Sequence, residues 1–155
     1  LARSAGGFVC ALRLSAGNTA DAPELEPMVR QSIAATGVIP RQVIADDGYA
    51  SAAGRERVLR MGVASLVISG AKGRKLVPAT EWDATAEARA SRSAVESLIF
   101  TLKYVHEFGR LRRRGLEAVR AEMLEKIIAH NFRRMTQVRE LQAEARRPSC
   151  APAAA

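Results

Sequence analysis

Apolar positions along the chain fall in short runs separated by polar breaks carrying glycine and proline. Residues 7–14, GFVCALRL, are rich in strand formers and predict a strand. The polar stretch SAGNTADAPE, residues 15–24, reads as a turn. In residues 23–37, Leu25, Met28, Val29 and Ile33 share one helical face, and Gly37 supplies a stop. RQVIAD, residues 41–46, follows Pro40 and reads as a buried strand. Residues 51–62 predict a short helix with Ser51 as its N-cap, and VASLVIS, residues 63–69, another strand. Strand, helix, strand, helix, strand is the order of an α/β fold.

Beyond this unit the period changes. Residues 70–90 are polar and mixed, with Gly70, Gly73 and Pro78, and predict a loop or small insertion. Residues 91–109 predict a helix ending at Gly109, with Val95, Leu98, Leu102 and Val105 as its apolar stripe. Residues 115–147 predict a longer helix whose apolar side is marked by Leu116, Val119, Met123, Ile127, Val138 and Leu141. The expected organisation is one domain over 1–147, with a basic helical segment at 110–147 and a disordered tail at 148–155. No apolar run is long enough to span a bilayer, and the first residues do not read as a signal peptide. Cys10 and Cys150 sit near opposite ends and fit neither a disulfide framework nor a metal site, so a reduced, cytoplasmic setting is expected.

Charge changes the picture. The net charge is +8, and residues 1–88 carry ten basic against nine acidic side chains, whereas residues 89–155 carry fourteen against seven. The positive field therefore belongs to the C-terminal part. It suits a polyanion, nucleic acid first, with a solvated arginine-rich helix surface as the alternative.

Two places concentrate candidate chemistry. Asp46 ends the 41–46 strand, where ligands of α/β sheets bind, and Asp47 should point the other way. The alternative is that either acid merely caps a turn before Gly48. In RSAVESLIFTLK, residues 92–103, Arg92, Glu96 and Lys103 fall within roughly 40° of one another on a helix, bordering the apolar stripe. A surface ion-pair ladder is the alternative there.

These residues carry a resemblance. IADDGYAS resembles the second-acid motif of DDE transposases from bacterial insertion sequences: an apolar strand, then Asp, a variable residue, Gly and Tyr. RSAVESLIFTLK is similar to their third-acid motif, Tyr-x2-Arg-x3-Glu-x6-Lys, matched by Arg92, Glu96 and Lys103, with Arg89 in place of the tyrosine. GNTADAPELEPMV resembles the segment before the family's first crossover helix, and FGRLRRRGLEAVRAEMLEKIIAHNFRRM its C-terminal helical segment. The resemblance covers roughly residues 8–135. It implies a ribonuclease-H-like fold, here incomplete, with C-terminal helices. It implies DNA transposition by phosphoryl transfer at a two-metal Mg²⁺ site, in which cations stabilise the attacking and leaving oxygens. Asp46 and Glu96 would be metal-binding catalytic acids, with Asp47 on the variable position. Arg92 and Lys103 would hold DNA phosphates. The partners implied are element-end and target DNA and, in the full-length protein, further copies of itself, at the nucleoid.

The family's first acid ends a strand upstream of a segment like GFVCALRL. That strand is expected to be missing from residues 1–155, leaving strand 41–46 short of a neighbour and the chain an inactive C-terminal fragment. Asp21, in a loop before a helix, and Asp83, in the insertion, are not expected to substitute for it. Among weaker signals, Arg110, Arg112, Arg113 and Arg114 in RLRRRG are candidates for DNA backbone contact. KGRK at 72–75 fits a phosphate contact or a solvated turn equally. Trp82 fits packing better than a flipped base, Tyr49 should pack under the site, and His106 and His130 lack ligand-type neighbours in sequence. A non-catalytic DNA-binding remnant and a basic helical interaction module are the competing readings.

Overall fold

The computed structural model describes residues 1–15, 19–77 and 94–146. Arg92, Trp82, Asp83, Arg89 and the tail at 148–155 lie outside these residues. The described chain mixes helices with two small sheets. β1 (Ala2–Arg3) pairs antiparallel with β2 (Val9–Ala11). α1 (Leu25–Thr36) follows a 3-10 turn at Ala22–Glu24. β3 (Gln42–Ala45) and β4 (Ser65–Ile68) pair in parallel, Gln42 opposite Ser65 through Ala45 opposite Ile68. A parallel pair needs a crossover, and α2 (Ala52–Arg60) supplies it. Ser51 is its N-cap as predicted, accepting the Gly54 N–H at 3.2 Å.

Two apolar cores hold these elements. Leu25 and Val29 of α1, Val58 of α2, and Val63, Leu66 and Ile68 around β4 form the first. Val9 and Leu12 meet Leu98, Leu102 and Ile127 in the second. Leu98 and Leu102 belong to α4, helical over 94–104, and Ile127 to α5 (Leu116–Ala145). The second core therefore joins the first residues of the chain to its last long helix.

Four expectations are corrected. The strand predicted over 7–14 is confined to Val9–Ala11 and lies in a sheet separate from β3–β4. The reason is visible at Val9: the Asn131 Oδ1 accepts its N–H at 2.9 Å, and the Asn131 Nδ2 donates to its carbonyl at 3.0 Å. These are the groups a further strand would use. α4 stops at residue 104, not at Gly109. The Phe108 N–H reaches back to the Leu102 carbonyl at 2.9 Å, and Glu107 takes the left-handed conformation, φ 54°, which turns Phe108 onto the second core. Within the predicted 70–90 loop, α3 (Ala71–Arg74) forms a helical turn. On α5, Ile127 is buried as predicted, while Leu116 and Leu141 are exposed. Among the described residues β3 pairs with β4 alone, leaving its other edge open.

Asn131 is the polar pin of the second core, and truncating it strands two backbone groups of a buried residue. Asn131→Ala should lower unfolding free energy by about 1–3 kcal/mol, measured as a shift of the denaturation midpoint, whereas truncating the exposed Glu140 should leave it unchanged.

Candidate functional site

The two adjacent carboxylates at the end of β3 have separate surroundings. Asp46 is exposed, and its Oδ1 accepts the Gly48 N–H at 3.0 Å, an Asx turn opening the 3-10 turn at Asp47–Tyr49. Asp47 turns toward α3, and its Oδ1 accepts the N–H of Lys72 at 2.9 Å and of Gly73 at 2.8 Å. It caps the helical turn that closes over β4. A Cβ at Gly73 would lie 2.1 Å from the Ile68 carbonyl oxygen, so the closure requires glycine. Asp47 is thus bound into the fold, and Asp46 is the acid presented to solvent.

Asp46 has a neighbour that sequence reasoning set aside. A Cβ at Gly48 would lie 2.8 Å from the Asp21 Oδ2 and 3.1 Å from the Asp46 Oδ1, so both carboxylates flank the same glycine. Asp21 does sit before a helix, as expected, at the start of the Ala22–Glu24 turn. The available signal was that both acids begin a helical turn. Tyr49 packs beside them. Its partial burial, followed by the charges of Asp21, Asp46 and Glu24, pushes the phenol above its ordinary range and keeps the hydroxyl protonated.

Glu96 and Lys103 are both exposed on α4. Carboxylate oxygens are the donors a hard divalent cation prefers. Yet among the described residues no three His, Cys, Asp or Glu side chains are placed together to hold a metal ion. The donor type fits such an ion and the described arrangement does not enclose one. His106 and His130, remote in sequence, meet edge to face with ring centres 5.4 Å apart.

The arginine-rich link at 110–114 is fastened by its main chain. Glu122, 7% exposed on α5, accepts the N–H groups of Arg112 and Arg113, each at 2.9 Å, on its Oε2. Lys126 pairs with Glu122 at 3.3 Å and donates from Nζ to the Glu107 carbonyl at 2.7 Å. Arg113 is drawn into an ion pair with Glu125 at 2.9 Å. Arg110, Arg112 and Arg114 point their charge to solvent without an ion pair among the described residues. Sequence reading found the arginines and missed Glu122 and Lys126, because an i,i+4 acid–base pair on a helix ordinarily signals an exposed surface. The Arg113 N–H, then those of Arg112 and the Lys126 ammonium, hold the Glu122 carboxyl below the usual glutamate range against the opposing effect of burial.

Comparison with known protein families gives a match. A family model described as "Transposase DDE domain" covers residues 2–132. No curated protein and no solved structure matches the chain.

Two outcomes test this geometry. Asp47→Ala should destabilise the fold by about 1–3 kcal/mol through loss of two charge-assisted bonds, and Asp46→Ala should not; paired urea titrations measure the contrast. The depressed Glu122 carboxyl makes its anchoring fully present above the ordinary glutamate range and lost as pH falls through its lower folded value. Amide chemical shifts of Arg112 and Arg113 followed against pH should therefore titrate together below that range, and Glu122→Gln should abolish the transition.

Proposed function

The chain belongs to the transposase DDE-domain family, which acts in DNA transposition, and from that premise we propose its particular part in the reaction. Residues 1–155 contribute Asp46 and Glu96 as metal-binding acids and a basic C-terminal surface that holds DNA. The ribonuclease-H-like arrangement implied by the family supplies the frame. The observation that carries this reading is the sorting of the two aspartates. Asp47 is consumed by main-chain hydrogen bonds, while Asp46 stands exposed at the C-terminal end of a parallel strand. The Glu122-anchored arginines supply the cationic partner that phosphates need. Arg92 and Lys103 belong to the same DNA-holding role.

Mg²⁺ is the cation this donor set suits. For residues 1–155 taken alone we propose DNA binding without cleavage. Self-association belongs to the same reading: Leu124, Ile128 and Phe132 recur every fourth residue on α5 and are 37%, 55% and 62% exposed, a stripe an assembly would bury. No helix among the described residues is long and apolar enough to cross a membrane, and nucleoid DNA is the proposed place of action.

The test is an electrophoretic mobility and nicking assay of the chain on supercoiled and linear duplex DNA with Mg²⁺. Binding that weakens steeply with salt, without nicking, is the expected result. Mg²⁺-dependent nicking that disappears in Asp46→Asn and Glu96→Gln would overturn the assignment of binding alone. Absence of DNA binding would favour the basic helical interaction module.

A further inference from the structure

A cleft of about 380 Å³ lies between α4, α5 and the turn joining β1 to β2, away from the arginine link. Residues 130, 133, 134 and 137 of α5 recur at helical spacing along one wall, and residues 94, 97, 98 and 101 of α4 along the other. Buried Leu98 belongs to the α4 wall. Three arginines, Arg3, Arg133 and Arg134, line the cleft, with Ser97 and Gln137 as polar neighbours. The described lining includes no carboxylate.

The arginines differ in their engagement. Arg134 is held in place, its Nε donating to the Gly6 carbonyl at 2.7 Å and its Nη1 to the Gln137 Oε1 at 3.3 Å. His130 reinforces the same turn through Nε2 and the Gly7 carbonyl, 3.2 Å apart. Arg3 and Arg133 take part in no ion pair among the described residues. Like charges gathered around a concave surface repel one another and focus a positive potential into it. Main-chain carbonyls and a side-chain amide hold that arrangement together, leaving the charge unneutralised.

We propose that this cleft seats a backbone phosphate of the DNA, as a second contact point beyond the arginine link. The inference rests on the DNA-binding reading above. At about 100° per residue, Glu122, Lys126, Arg133 and Gln137 fall within about 60° of one another on α5. The link fastened at Glu122 and the cleft at Arg133 therefore share one side of the helix, about 16 Å apart along its axis at 1.5 Å per residue. One strand advances about 3.4 Å per phosphate along a duplex, so about five steps cover that distance. A single DNA segment can engage both places.

The experiment measures duplex affinity of the intact chain against salt concentration. It compares the unaltered chain, the cleft variant Arg3→Ala/Arg133→Ala, the link variant Arg112→Ala/Arg114→Ala, and Arg133→Lys. The slope of log K against log salt should fall by about 1 for each phosphate contact removed, so by about 1 in the cleft variant, whose two arginines share one phosphate, and by about 2 in the link variant, and Arg133→Lys should keep it. Circular dichroism and the denaturation midpoint check that the cleft variant remains folded. An unchanged slope in the folded cleft variant, with a reduced slope in the link variant, would overturn the cleft and leave the DNA reading standing. Absence of duplex binding by the unaltered chain would overturn both. Titration with inorganic phosphate separates the sources of the anion: saturation of the cleft by phosphate alone, with an unchanged DNA slope, would also overturn the proposal.

Discussion

The side-chain amide of Asn131 closes two hydrogen bonds on the backbone of Val9, and the placement of the long C-terminal helix depends on them. An amide is one of the few side chains that offers a donor and an acceptor side by side. Here it substitutes for a neighbouring strand, ending the sheet at β2 and seating α5 in its place. Ile127, one turn earlier, enters the core formed by Val9, Leu12, Leu98 and Leu102. This polar pin and that apolar contact, with the bonds of His130 and Arg134 to the turn between β1 and β2, hold α5 against the strands.

The adjacent aspartates show how one short segment serves two ends. Just beyond β3 the chain enters a 3-10 turn at Asp47, and this change of backbone separates a structural acid from an exposed one. Asp47 organises α3 over the end of β4, and the absence of a side chain at Gly73 lets that turn approach the Ile68 carbonyl. Asp46 keeps only a local turn bond and stands exposed at the surface. The proximity of Asp21 strengthens the negative potential there and adds to the effect of burial in raising the Tyr49 phenol.

Much of this was legible in the chain itself. The alternation of β3 and β4 with α1 and α2 follows from apolar spacing and from caps such as Ser51, whose hydroxyl has few other local uses. The exposure of Asp46 follows from its place just beyond a strand. What stayed hidden depends on contacts distant in sequence. Asn131 reads as an ordinary polar helix residue until Val9 is beside it. The end of α4 was misplaced at Gly109 because glycine is the usual helix stop; packing of Phe108 ends it sooner and forces Glu107 into a conformation that composition does not announce. Glu122 was invisible for the same reason, since its partners are main-chain amides that sequence patterns do not mark.

The anchoring of the 110–114 link by Glu122 has a kinetic consequence. A loose arginine-rich segment must give up backbone freedom when it meets a polyanion, and that ordering penalty weakens the complex. Here the main chain of Arg112 and Arg113 is already fixed in the unbound protein, so only side-chain rotamers remain to be ordered on contact. Preorganisation of this kind lengthens the residence time of the bound state more than it hastens the encounter, which charge alone already accelerates. In the DNA-binding role proposed above, Glu122 would therefore govern the residence time of the complex, although its own carboxylate repels phosphate.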